Sequence, residues 1–126
     1  MTVTVHEIRP RAFGGFNVRF SCAAGGAWAR WRGPLPSKGA STEVAFDVGE
    51  ILVWGHDIAT ADGPPAIADE GGAVVIHGVL TSTDADEAVL DVAGARIVLA
   101  TDGAPPAPGA SVRALARHVT LEAAEP

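Results

Sequence analysis

The chain has 126 residues, enough for one globular domain that buries about two-thirds of its unfolded surface. Apolar residues make up 48% of it, which excludes wholesale disorder, and its single cysteine, Cys22, excludes an intramolecular disulfide. The net charge of −6 argues against generic binding to nucleic acid or to an anionic membrane, because both need a concentrated cationic surface. The first residues resemble no signal peptide and the apolar runs are too short to cross a bilayer, so the sequence predicts a soluble, cytoplasmic protein.

The first half of the chain alternates apolar and polar residues with the period of two that is typical of β-strands. This pattern predicts a strand at residues 2–8, a hairpin over 16–32 and a second, hairpin-like pair of strands over 44–54. Two prolines indicate a loop at residues 33–39, because proline removes a donor from the strand ladder. Residues 57–72 have little to bury, so we expect a long exposed loop there.

The last third of the chain has the pattern of a meander. It predicts strands at residues 74–81, 89–92 and 96–100, followed by a final strand from residue 111 to about residue 121. A helix competes over residues 110–124, since Ala, Leu and Arg are good helix formers. The β-branched residues of that segment, and the Pro-Gly before it, favour the strand. We therefore expect an all-β fold, a small barrel or sandwich of about eight short antiparallel strands.

Charge is divided unevenly along the chain. Residues 1–38 contain six Arg or Lys and one acid, whereas the remainder contains three Arg and fourteen acids. We therefore expect one β domain over residues 1–126, in which an N-terminal Arg/Trp hairpin (1–38) precedes an acidic β body (39–122). An acidic body is compatible with binding a basic protein.

No arrangement of residues in the sequence predicts a catalytic centre, a metal site or a cofactor. The four histidines lack metal-ligand spacing, the glycine pairs lack the spacing of nucleotide-binding loops, and Cys22 continues the apolar face of its strand. His56 precedes Asp57, and a neighbouring carboxylate can raise the pKa of a histidine, although such loop residues more often only cap a strand. The acidic run 84–87 opens like a calcium loop but lacks its later Gly and Glu, so we interpret it as a solvated hairpin tip. An enzyme is the least favoured class.

The N-terminal segment interleaves arginine with aromatic residues. Such mixtures stack on bases, hold anions or anchor protein interfaces, and the competing interpretation is core packing with the arginines on the solvated face. Trp28 and Trp31 lie three positions apart and point to opposite faces of a regular strand, so we expect at least one of them to be partly exposed. The residues concerned are Arg9, Arg11, Phe13, Phe16, Arg19, Phe20, Trp28, Arg30, Trp31 and Arg32.

Residues 73–122 resemble the strand pattern of OB-type small β-barrels. The resemblance is carried by a glycine-bearing strand at 74–80, an acidic turn at 84–86, strands at 89–92 and 97–99, and a Pro-Gly before Val112. No helix is predicted between the third and fourth strands, which leaves an SH3-like barrel or a two-sheet sandwich open. The resemblance implies a face for oligonucleotides or oligosaccharides, and the acidic charge argues against the first.

Residues 44–55 look like small bacterial proteins that include toxin-neutralising immunity proteins. This resemblance, with the acidic charge, implies a non-catalytic protein-binding module whose partner is a basic protein or a second copy of the chain. The alternative is a small-ligand β-barrel for an anion or a sugar, contacted by Trp28, Trp31, Trp54 and Arg30. Across both interpretations the candidate binding residues are Arg30, Trp31, Trp28, Arg32, Asp57, Asp69, Glu70, Asp84 and Asp86.

Overall fold

The described structure consists of strands joined by turns and loops. The computed structural model describes residues 1–84 and 86–124. Within these residues the protein is all-β, as predicted, with twelve strands where about eight were expected. The strands are β1 (Thr2–Pro10), β2 (Phe16–Cys22), β3 (Gly25–Arg32), β4 (Ser41–Val48), β5 (Leu52–Val53), β6 (Ile58–Thr60), β7 (Ala66–Glu70), β8 (Ala73–Thr83), β9 (Glu87–Val92), β10 (Ala95–Asp102), β11 (Ser111–Ala116) and β12 (Val119–Ala123). No helix in the described part of the chain has the length and apolar character to span a membrane.

Five of these strands close into a small barrel. β1, β2 and β3 form an antiparallel meander, and β4 pairs antiparallel with the free edge of β1. β12 then lies between β4 and β3, antiparallel to the first and parallel to the second. The ladder of hydrogen bonds therefore returns to its starting strand, and the barrel has no free sheet edge between these five strands.

The inside of the barrel is filled by alternate residues of each strand. Val5, Val18, Phe20 and Leu121 are each no more than 1% exposed, and the ring of Phe46 meets that of Phe20 edge-to-face with 6.4 Å between centroids. Burying a side chain of this size stabilises the fold by about 1.5–3 kcal/mol. The polar residues that alternate with these apolar ones consequently form the outer surface of the barrel.

The chain between β4 and β12 continues the sheet outside the barrel, to which β7 joins it by pairing with β3. We call this part of the chain the insertion (residues 49–118). Its long strand β8 pairs with β7 and then β9 along one edge, and with β11 along the other. β10 and β5 extend the sheet beyond β9, while β6 extends it beyond β11. Buried side chains of the insertion and of the barrel belong to one continuous apolar cluster.

Two predicted segments differ from the structure. Residues 44–54 do not form a hairpin, because β4 pairs with β1 and β12 whereas β5 pairs with β10. Residues 57–72 are not a long exposed loop: they contain β6 and β7, whose Ile58 and Ile67 are 0% and 1% exposed. A single apolar residue amid breakers gives no periodic signal, although each of these two isoleucines fixes its strand to the core.

The predicted C-terminal strand is two strands, one in the insertion and one in the barrel. β11 pairs with β8 of the insertion, the chain turns at Arg117 and His118, and β12 closes the barrel. Residues 73–122 therefore contribute only β12 to the closed barrel, and the rest of that range builds the insertion. In the acidic turn, Ala85 lies outside the described residues.

Candidate functional site

A cleft of about 700 Å³ lies on the outer surface of the barrel. Its walls come from β2, β3, β4 and β12, together with β7 and the turn between β11 and β12. Its polar and aromatic lining consists of Arg11, Asn17, Trp28, Arg30, Arg32, Asp47, Asp69, Arg117, His118 and Thr120. Four guanidinium groups and one indole therefore share a single concave surface.

The floor of the cleft is a lateral row of side chains on four neighbouring strands. Asn17 on β2 pairs with Arg30 on β3, Arg30 pairs with Thr120 on β12, and Thr120 pairs with Asp47 on β4. All four point outward, since the residues beside them in each strand fill the barrel. The row exists only because β12 inserts between β3 and β4, which brings together residues up to 103 positions apart.

Trp28 forms an aromatic wall of the cleft. It is half-buried, and the guanidinium carbon of Arg9 lies 4.7 Å from the centre of its ring. Arg9 is held in turn by Glu7, whose carboxylate accepts hydrogen bonds from both Arg9 and Arg19, each over 3.1 Å. The bond from Arg19, followed by the charges of both arginines, lowers the pKa of Glu7 below its ordinary value. Neighbouring side chains on β1 and β2 thus support the indole from outside the cleft.

Asp69 reaches the cleft from β7, at the seam between the barrel and the insertion. One of its carboxylate oxygens accepts the backbone N–H of Trp28 over 3.1 Å. This contact anchors β7 beside β3, where their ladder is limited to the pairing of Gly25 with Ile67. Asp69 therefore lies in an ordered strand at the cleft, whereas the sequence predicts an exposed loop for this segment.

The turn at Arg117 and His118 forms a rim of the cleft. A single oxygen of Glu50 accepts the backbone N–H groups of both residues, at 3.0 Å for His118. The guanidinium of Arg117 also lies 3.7 Å from Asp57. Glu50 thus fixes the rim without lining the cleft. Nothing in the sequence indicates this role, because a single glutamate after Gly49 belongs to no recognisable pattern.

His56 and Asp57 form a hydrogen-bonded pair, with 3.1 Å between His56 Nδ1 and a carboxylate oxygen of Asp57. The other oxygen accepts the backbone N–H of Val53 over 3.0 Å. The Val53 N–H, followed by the bond from His56, lowers the pKa of Asp57. The His56 side chain is 80% exposed and neither residue lines the cleft, so the pair fixes the turn after β5. Across residues 1–84 and 86–124, no three His, Cys, Asp or Glu side chains are grouped to hold a metal ion.

Two of the four cleft arginines form ion pairs with residues around the cleft. Arg32 lies 3.5 Å from Glu122 and Arg117 lies 3.7 Å from Asp57. Arg11 and Arg30 make no ion pair within the described residues. Exposed ion pairs contribute about 0–1 kcal/mol, so even the two paired guanidinium groups remain open to competition from a ligand anion.

Only some of the binding residues proposed from the sequence lie in the cleft. Trp28, Arg30, Arg32 and Asp69 meet in the cleft, and Asp57 contacts its rim through Arg117. Glu70 instead pairs with Arg113 over 2.7 Å, and neither Asp84 nor Asp86, at the turn between β8 and β9, lines the cleft. The acidic candidates are consequently spread over separate surfaces.

Trp31 is a core residue, which removes it from the candidate binding surface. It is 5% exposed, and its indole N–H donates to the carbonyl oxygen of Pro34 over 2.9 Å. Its neighbour three positions earlier, Trp28, is the exposed member of the pair, in accord with the expectation of opposite faces. Trp54 packs its Cβ close to Gly103 and lies outside the cleft.

Comparison of the chain with protein-family models, with curated proteins and with solved structures gave no match. The cleft is therefore interpreted from its own residues.

Proposed function

We propose that this protein is a non-catalytic binding module that holds a compact anionic ligand in the cleft. The observation that carries the proposal is the convergence of Arg11, Arg30 and Arg117 with Trp28 in one cavity, on a chain whose net charge is −6. A volume of about 700 Å³ lies within the range of about 300–1,000 Å³ that is typical of small-ligand sites. Arginine forks recognise carboxylate and phosphate groups through paired hydrogen bonds.

The distribution of charge favours a compact ligand over a long polyanion. The barrel segments, residues 1–48 and 119–124, carry six Arg or Lys and four acids, whereas the insertion carries three Arg and ten acids. A nucleic acid that ran across the barrel would meet the negative potential of the insertion beside it. An anion confined to the cleft avoids this repulsion.

The connectivity of the barrel supports an OB-type interpretation of residues 1–48 and 119–123. A three-stranded meander is followed by a fourth strand beside the first, and the closing strand runs parallel to the third. OB-type barrels bind ligands across their second and third strands, and β2 and β3 supply Asn17, Trp28 and Arg30 to this cleft. This support is fold-level analogy, and the arginines that line the cleft support a ligand on the same surface independently.

Calorimetric titration with compact anions tests the proposal, with phosphate, citrate and glucuronate as probes. Arg30→Gln removes an unpaired cleft charge, and we expect it to weaken binding about 10–100-fold, the value of one charge-assisted hydrogen bond. Arg96→Gln is the matched control, because Arg96 is exposed, makes no ion pair within the described residues and lies outside the cleft. Absence of binding by every anion, or equal losses in the two variants, would overturn the proposal.

A second candidate function is the binding of a basic protein by the insertion, in an immunity-type role. Its support is the excess of seven negative charges on residues 49–118, which would steer a basic partner towards that surface. The test is affinity capture from the native lysate followed by binding of the purified partner. Asp84→Asn with Asp86→Asn should weaken a salt-sensitive complex, and Arg30→Gln should leave it intact. A complex that these acidic substitutions do not weaken would contradict this function.

A further inference from the structure

The cleft contains hydrogen-bond acceptors as well as cations. Asp47 ends the floor row with an exposed carboxylate, and within the described residues neither Asp47 nor Asp69 lies within 4.0 Å of a cleft guanidinium. Carboxylates left unneutralised in this way repel a simple inorganic anion. They instead accept hydrogen bonds from a ligand that carries donor groups beside its negative charge.

The spacing of the row sets the length of that ligand. Arg30 on β3 and Asp47 on β4 are separated by β12, and neighbouring strands lie about 4.7–4.9 Å apart, which places their positions about 10 Å apart across the floor. Thr120 lies between them and Asn17 lies beyond Arg30. A phosphate or sulfate ion is too small to reach both ends, so a ligand that uses the whole row is a larger molecule, about 10 Å long, that still fits within the cleft.

Trp28 adds an apolar, aromatic surface to this polar floor. The negative face of an indole attracts partners with positive character, including the C–H groups on one face of a sugar ring. The three features together are a cation for a negative group, a row of hydroxyl-binding side chains and an aromatic wall for a ring.

We propose that the ligand is an acidic saccharide of more than one ring. Its carboxylate would bind Arg30, its hydroxyl groups would donate to Asp47 and hydrogen-bond with Asn17 and Thr120, and one ring would pack on Trp28. This inference rests on the proposed anion-binding function and adds the chemical class of the ligand.

The test compares calorimetric titrations with digalacturonate and with inorganic phosphate for the native protein and two cleft variants. Arg30→Gln should weaken the binding of both probes about tenfold or more. Asp47→Asn should weaken digalacturonate about tenfold, since it removes the charged acceptor, and should tighten phosphate, since it removes a repulsive charge. Asp62→Asn makes the same charge change outside the cleft and should leave both affinities unchanged.

The outcomes separate the two proposals. If Asp47→Asn tightens both probes, or changes neither, the saccharide inference is wrong while the loss in Arg30→Gln still supports the anion module. If the native protein binds neither probe, both proposals fail. Asp47 is exposed, so the thermal midpoint of its Asn variant should match that of the native protein and exclude misfolding as the cause.

Discussion

Two tryptophans on one strand give a direct test of how β3 is oriented. Trp31 is 5% exposed inside the barrel, whereas Trp28 is half-buried on its outer surface. A tryptophan buries about 150–250 Å², and at about 25 cal/mol per Å² this corresponds to about 4–6 kcal/mol. Because alanine keeps part of this buried area, and because Trp→Ala in protein cores typically costs about 3–5 kcal/mol, we expect this cost for Trp31→Ala. That is a large part of the about 5–15 kcal/mol that stabilises a typical domain.

Trp28→Ala is the matched control. It removes a half-buried ring, which carries about half of the burial energy of Trp31, and the contact with Arg9, which is worth about 0.5–1 kcal/mol. We therefore expect a total loss of about 2 kcal/mol after partial relaxation of the exposed site. Urea unfolding followed by far-ultraviolet circular dichroism measures both variants without depending on tryptophan fluorescence. With a slope of about 2 kcal/mol per M, the urea midpoint should fall by about 2 M for Trp31→Ala and by about 1 M for Trp28→Ala.

Anion titrations provide a second comparison between the two tryptophans. Trp28→Ala should weaken a ligand that contacts the cleft, and Trp31→Phe, which keeps most of the core volume, should leave its affinity unchanged. Equal shifts of the urea midpoint in the two alanine variants would refute the assignment of Trp31 to the interior. A stability loss below about 1 kcal/mol for Trp31→Ala would refute it as well.

Three further predictions concern the seams of the fold. Gly78→Ala places a Cβ 2.6 Å from the carbonyl oxygen of Asp91, so the thermal midpoint of unfolding should fall by about 5–10 °C. An unchanged midpoint would contradict the close approach of β8 to β9 at this position. Asp57→Asn should be less stable than the native protein at neutral pH, because folding lowers the pKa of Asp57 below its ordinary value. The native advantage should disappear as the pH falls through the lowered pKa, and a difference that persists in acid would count against the bond from the Val53 N–H. Glu50→Ala leaves two backbone N–H groups without their acceptor, so it should lower the free energy of unfolding in urea by about 1–2 kcal/mol and should also weaken anion binding. If neither the stability nor the affinity changes, Glu50 does not position the turn at Arg117 and His118.

Local patterns were sufficient for those parts of the fold in which sequence neighbours pair with each other. The hairpin at residues 16–32 appears as β2 and β3, and the meander at 74–100 appears as β8, β9 and β10. In both, alternating apolar residues identify the strands, and a short turn determines the pairing. The wrongly predicted hairpin at 44–54 has the same local pattern, but its strands pair with partners far away in the chain.

The candidate site could be predicted only in part for the same reason. Trp28, Arg30 and Arg32 share one strand, and their composition alone marks them as a candidate surface. Asp47 and Thr120 carry no signal, because an acid or a threonine on a solvated strand face is ordinary until its neighbours are known. The choice between Trp28 and Trp31 as the exposed residue also depended on which face of β3 the barrel encloses.

The sequence by itself determined that this protein is built from strands, that its cysteine forms no internal disulfide, and that its positive charge lies mainly near the N-terminus. Tertiary structure alone decided that β12 lies between β3 and β4, which creates the row from Asn17 to Asp47. The physical reason is the sequence separation over which each effect acts. Strand propensity and alternation act over a few residues, whereas closure of the barrel depends on burying apolar side chains that are distant in the chain, such as Val5 and Leu121, in one core.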